Sequence, residues 1–357
     1  MGTRTRGLAN NILSNGTIDA TDGLSGTIPA SNVNNTTISS VTSFPSSVGD
    51  FIQSTASDPS PATVGDVWYN NTTYAFKLAT VTTAGAWTSG GNVGSSFYSA
   101  ATGGTQTAAY KAGGGFPRNS TASESYNGTS WTTAGSLNTA RSRLSVGVVG
   151  TQTAGLGTGG YNTSLESATE HFDGSNWTSA TNMPAGRQNA GGSGLQTAAL
   201  VFGGGPSPTS SISYNGSSWT STPSMVTGGS LTGVGTQTAT LAVGTVTESW
   251  NGTSWTSGTT MNTPRSQIML GGTQTLALGS GGYTPAPSVL STVEKWNGTS
   301  WTTDTSLNTA RRVGGSHGTS VGNSMVSSGI NSAGNQITST EEFTDAGAAV
   351  TRTFTTS

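Results

Sequence analysis

The 357 residues of the chain include 53 Gly and only 8% charged side chains, and the Ser, Thr and Asn that fill most other polar positions oppose helix by competing for backbone hydrogen bonds. Nine Trp and a net charge of -2 set it apart from disordered chains, which lack aromatics and carry high net charge, so an all-β fold is expected. The absence of Cys excludes disulfides and thiolate sites, the 13 Lys and Arg are too scattered to neutralise a nucleic-acid backbone, and no apolar run is long enough for membrane insertion.

Residues 1–62 come first in the chain and contain no repeat. Their apolar residues stand alone (Ile18, Leu24, Ile28, Val33, Ile38, Val41, Phe44, Phe51), too far apart to bury a core. No apolar segment follows Arg4 and Arg6, so no Sec-type signal is expected, and Arg6 occupies the position where a myristoylation motif needs Ser or Thr. We read 1–62 as an extended attachment arm that becomes ordered on other proteins, ending in the linker Ser57-Asp58-Pro59-Ser60-Pro61-Ala62. A hairpin at 65–80, built around Val67-Trp68-Tyr69-Asn70 and Ala75-Phe76, opens the next domain, 63–357.

That domain is repetitive. Tyr126-Asn127-Gly128-Thr129-Ser130-Trp131 returns with small changes at 172–177, 214–219, 250–255 and 296–301. Counting from Trp87, the Trp-to-Trp steps are 44, 46, 42, 36 and 46 residues, the length of one four-stranded propeller blade. Asn-Gly between β-prone residues predicts a type I′ turn, and parity places Tyr126 and Trp131 on one sheet face. Upstream, Gly104-Thr105-Gln106-Thr107 leads through a small-residue inner strand to Gly113-Gly114-Gly115, and variants recur at 150–160, 194–205, 235–244 and 272–282. Arg141, Arg187, Arg265 and Arg311 each follow Trp131, Trp177, Trp255 and Trp301 by ten residues, whereas the short 219–255 repeat has Gly229 instead and a single glycine at 244, which predicts clipped loops. Six Trp strands and six aromatic strands, with Phe343 the last, give a six-bladed propeller. It is closed either by the Trp87 strand or by the run 349–354. Trp131, Trp177, Trp219, Trp255 and Trp301 are expected to be buried between blades, and the arginines to have structural roles.

A diglycine strand, an aromatic strand end, a Trp and a downstream Arg, in that order over residues 83–345, resemble the kelch repeat. The opening arm, the Asp-Pro-Ser-Pro linker, the Trp-Tyr-Asn hairpin and the Asn-Gly-Thr-Ser-Trp repeats together resemble virion structural proteins of tailed bacteriophages of marine and cyanobacterial hosts. The resemblance implies a non-enzymatic virion protein, assembled in the host cytoplasm, whose propeller serves particle assembly or host attachment as a tail-fibre, tail-associated or capsid-surface component. Residues 1–62 would contact other virion proteins and hold the chain as a homo-oligomer.

Catalytic candidates are few. His171 and His317 lack a second His, Cys or spaced carboxylate, so neither metal nor cofactor is expected. Glu124, Glu170, Glu248, Glu294 and Glu341 recur two residues before the strand aromatic, a position suited to pairing with the repeat arginines more than to glycoside hydrolysis. The sialidase Asp-box fails on spacing, the Asn-Gly-Thr/Ser triplets are explained by the turn, and the Gly-rich runs lack the Lys-Ser/Thr of a phosphate loop. The variable loops joining the diglycine strand to the aromatic strand carry Phe116, Arg118, Tyr161 and Tyr283, the candidate binding residues for host-surface glycans. The alternatives are a carbohydrate-active enzyme such as a depolymerase and a bacterial cell-surface adhesin, the latter disfavoured by the missing signal and anchor.

Overall fold

The computed structural model describes residues 53–58, 67–73, 75–81, 85–96, 98–115, 119–145, 147, 149–284, 288–345 and 349–353. Most of residues 1–62, the segment expected to be an attachment arm, therefore lies outside the described residues. Two compact units are present: Val81–Ala348, and Met1–Thr80 together with Ala349–Ser357.

The larger unit is a six-bladed β-propeller. Its first five blades run outward from the axis in chain order: Ala101–Thr105, Ala108–Ala112, Ser123–Tyr126 and Trp131–Ala134 in blade 1; Gly150–Thr151, Ala154–Thr158, Thr169–Phe172 and Trp177–Ala180 in blade 2; Gly191–Leu195, Ala198–Phe202, Ser211–Tyr214 and Trp219–Thr222 in blade 3. Blade 4 has Thr232–Thr236, Ala239–Val243, Thr247–Trp250 and Trp255–Ser257, and blade 5 has Met269–Gly272, Ala277–Ser280, Val293–Trp296 and Trp301–Asp304. Blade 6 takes Gly315–His317, Met325–Ser327 and Thr340–Thr344 from the end of the ring and its outermost strand, Ala86–Gly90, from the start, with Trp87 opposite Phe343. This settles the closure in favour of the Trp87 strand. Pairing the first segment with the last joins the two ends of the ring within one blade, and only short outer strand edges remain.

The Gly-Thr-Gln-Thr segment is the turn between the first and second strands, so the innermost strand precedes it and the strand that follows it is second from the axis. The innermost strands approach closely: a Cβ on Gly103 would lie 2.4 Å from the carbonyl oxygen of Val149 in the neighbouring connection. In blade 4 only residues 244–246 separate the second strand from the third, the clipped loop expected from its short repeat.

The aromatic hairpins are in the predicted register, with Tyr126 opposite Trp131, Phe172 opposite Trp177 and Tyr214 opposite Trp219. Ring centroids within these pairs lie 4.6 to 5.0 Å apart. The turn is not type I′, because only the glycine, for example Gly128 at φ 92°, has a positive φ. Asn127 Oδ1 instead accepts the backbone N–H groups of Thr129 and Ser130, an Asx arrangement that Asp173 reproduces in blade 2. Trp177, Trp255 and Trp301 are buried as expected, whereas Trp131 and Trp219 are half-buried. Trp131 Nε1 donates to Thr340 Oγ1 of blade 6, and Trp219 Nε1 to the Thr181 carbonyl just after the outermost strand of blade 2.

In the smaller unit, Val67–Asn70 and Ala75–Val81 form the hairpin read as the entry to the propeller. Its sheet is its own: Gln53–Thr55 lies parallel to the first strand, and Ala349–Thr353, the alternative closing strand, joins here. Asp58, within the segment read as a linker, accepts from Trp68 Nε1 (3.1 Å) and Asn70 Nδ2 (2.8 Å) and pairs with Lys77 Nζ at 2.7 Å. Lys77 foremost, then Asn70, pulls this carboxyl down to about 2.

Candidate binding face and blade junctions

Antiparallel order sends the Gln turns and Asn-Gly turns to one face of the ring. The diglycine loops and the connections between blades emerge on the other. On this loop face a repeated backbone feature recurs two residues after the arginine position: Ser99, Arg143, Asn189, Gln267 and Val313 all have φ between 50° and 58°. Neighbours are joined by hydrogen bonds, Ser99 N–H to Val313 O, Val313 N–H to Gln267 O and Asn189 N–H to Arg143 O.

Two of the four predicted binding residues stand on this face, and Phe116 and Arg118 lie outside the described residues. Tyr161 begins a small hairpin with Ser164–Leu165 and has the Arg143 guanidinium 5.7 Å from its ring centre. Tyr283 begins the matching hairpin with Ser288–Val289, under Arg312 at 5.0 Å. Both tyrosines are half-buried. They belong to blades 2 and 5, on opposite sides of the ring, so they form two separate patches, each an aromatic ring with one cation over it. Arg143 and Arg312 were not singled out in the sequence, where they differ from the repeat arginines only by falling out of register.

Deeper, the repeat glutamates and arginines meet at the junctions between consecutive blades. Glu170 of blade 2 accepts from Asn138 N–H and from Arg141 Nη2 at 2.8 Å, both after the Trp strand of blade 1. Glu341 of blade 6 likewise takes Asn308 N–H, Thr309 N–H and Arg311 Nη2 at 2.6 Å, and Glu294 of blade 5 takes Asn262 N–H, Thr263 N–H and Arg265 Nη1. Arg141, Arg265 and Arg311 have no exposed surface. Burial lowers the pKa of each guanidinium and its glutamate raises it again.

Two further repeat contacts went unread in the sequence. The side chains of Gln106, Gln152, Gln196, Gln237 and Gln274 donate to the carbonyls of Phe343, Tyr126, Phe172, Tyr214 and Trp250, each the last residue or near-last residue of an aromatic strand in the preceding blade. Six residues after each Trp comes a buried apolar side chain: Val93, Leu137, Met183, Met225, Met261 and Leu307. The recurrence was visible. The partners, in another blade, were not.

Both histidines contact a neighbouring blade. His317, in the innermost strand of blade 6, lies 3.1 Å from Gly103 O and 2.9 Å from Ser327 Oγ, and burial pushes its pKa down to about 4. His171 is half-buried beside the Tyr214 hydroxyl at 3.1 Å. Among the described residues no group of three His, Asp or Glu converges as a metal site would.

No protein-family model matches the chain, and no curated protein matches its sequence. Among solved structures 172 chains match. One of them, described as the structure of YjhT, superposes with a TM-score of 0.57 at 12% identity, over 70% of this chain and 95% of that one. A likeness at that identity establishes the propeller fold alone.

Proposed function

We propose that the chain is a non-enzymatic structural protein of a tailed-phage particle, attached through its N-terminal arm and presenting the propeller for assembly or for contact with a host surface. The observation that carries this reading is the closure of the ring by its own residues, Ala86–Gly90 on Thr340–Thr344. The segments before Val81 and after Ala348 are thus released from completing the fold. A sequence such as 1–62, unable to bury a core by itself, has a physical use when it folds against sister arms or another virion protein.

The two Tyr–Arg patches fit the display half of the proposal. Each offers an aromatic surface and guanidinium donors on a loop face, the chemistry that holds sugar rings and their acidic substituents. Mass spectrometry of purified particles tests the assignment: a few copies per particle place the protein in the tail, hundreds place it on the capsid, and absence rejects the proposal. Deleting 1–62 should leave a cooperatively melting propeller that no longer enters particles. Release of reducing ends from host polysaccharide by the purified protein would instead support the depolymerase alternative.

A further inference from the structure

Each blade junction brings together one acidic position, two residues before the aromatic, and one basic position, ten residues after the preceding Trp. Junctions 1–2, 4–5 and 5–6 hold Arg and Glu at these two positions. At junction 3–4 the basic position is Gly229, and Glu248 takes three backbone N–H groups, from Val226, Thr227 and Gly228, at 2.8 to 2.9 Å. At junction 6–1 Glu124 takes the Gly94 N–H at 2.8 Å, and the buried Lys111, opposite it across a strand pair, donates to the Ser95 carbonyl. Junction 2–3 differs from all of these. It keeps Arg187 but has Ile212 at the acidic position, and Pro184, with no N–H, in the turn that the glutamate would cap.

The result is a buried guanidinium with no protein carboxylate beside it. Arg187 is 6% exposed, and its Nε and Nη1 are fully buried with no acceptor. Its siblings also donate to the carbonyl just before the aromatic strand, Ala168, Thr292 or Ser339, whereas Arg187 makes no such bond to Ser210. Burial lowers its pKa with no neighbouring carboxylate to raise it, unlike Arg141, Arg265 and Arg311. A guanidinium fork matches a carboxylate in geometry and charge, and a desolvated cation without a partner strongly favours a state in which an anion reaches it.

We propose that Arg187 is a binding site for a small carboxylate anion, which takes at junction 2–3 the part that a glutamate side chain takes at the other junctions. The probe is acetate, added to the full chain from about 1 to 100 mM with ionic strength held constant by sodium chloride, and the readout is the unfolding midpoint. Above its dissociation constant each tenfold of acetate should raise the wild-type midpoint by roughly 3 °C. Ile212→Glu supplies the carboxylate internally and Arg187→Met removes the cation, so both variants should give a flat response. Line broadening of ¹³C-acetate by wild type, absent with Arg187→Met, is the matching direct measurement and decides the matter if Ile212→Glu does not fold. A flat wild-type response, or an equal rise in wild type and Arg187→Met, overturns the proposal.

Discussion

Junctions 4–5 and 3–4 solve one problem in two ways. In both, a buried glutamate caps the turn that follows the Trp strand of the preceding blade; Glu294 adds Arg265 to two backbone N–H groups, whereas Glu248 replaces the guanidinium with the N–H of Gly228. The carboxylate's constant task is therefore the turn. The arginine is a second partner, and it brings its own need: once buried, it must be neutralised. A glycine at 229 dispenses with both the charge and the need.

The largest effect that would sharpen this contrast comes from Glu294→Ala, which strands Arg265 and should cost about 3 to 5 kcal/mol, while Glu248→Ala leaves only backbone donors and should cost about 2 kcal/mol. Denaturant unfolding of both variants checks this, and Arg265→Met added to Glu294→Ala should recover part of the loss. Equal costs at the two sites would mean that the arginine adds nothing.

Closure at junction 6–1 extends the comparison to pH. His317 is held neutral, its pKa near 4 against an ordinary 6.5. A folded pKa below the unfolded one means that the unfolded chain binds the extra proton. The histidine's contribution is complete above pH 6.5 and is lost as pH falls toward 4, about 3 kcal/mol in all. Melting curves across that window should show the fall in wild type and a shallower one in His317→Gln.

Turns rank below junctions. Asn251→Ala removes the oxygen that holds the Thr253 and Ser254 N–H groups and should cost about 1 kcal/mol by thermal unfolding. The smallest effect has the opposite sign. Val313 is a β-branched residue at φ 50°, where the equivalent position at junction 2–3 carries Asn189; Val313→Asn should stabilise by about 1 kcal/mol, since Asn tolerates this region far better.

Blade number and hairpin register were legible because they are local: an aromatic, an Asx-Gly turn and a Trp specify one hairpin wherever they occur. The closing strand was narrowed to two segments, since both 86–90 and 349–353 have β character and only tertiary pairing separates them. The type I′ assignment failed because the Asn side chain takes the N–H groups that a two-residue turn would leave to the backbone. The glutamine clasp escaped notice for a different reason: Gln196 bonds to Phe172, 24 residues earlier and in another blade. At the loop face Tyr161 and Tyr283 were legible as loop aromatics, but the cations over them come from neighbouring connections whose position follows from the packing of the blades.

The strand that completes the sixth blade is made first and used last. Trp87 Nε1 donates to the carbonyl of Thr305, 218 residues downstream, and Ala86–Gly90 has no partner until Thr340–Thr344 has left the ribosome. Throughout synthesis the growing chain therefore carries an unsatisfied strand at its leading end, while successive blades assemble behind it. The brevity of that strand and its polar Thr88 and Ser89 then acquire a kinetic meaning: a short waiting edge with hydroxyl side chains is a poor template for pairing with the same strand of a neighbouring nascent chain.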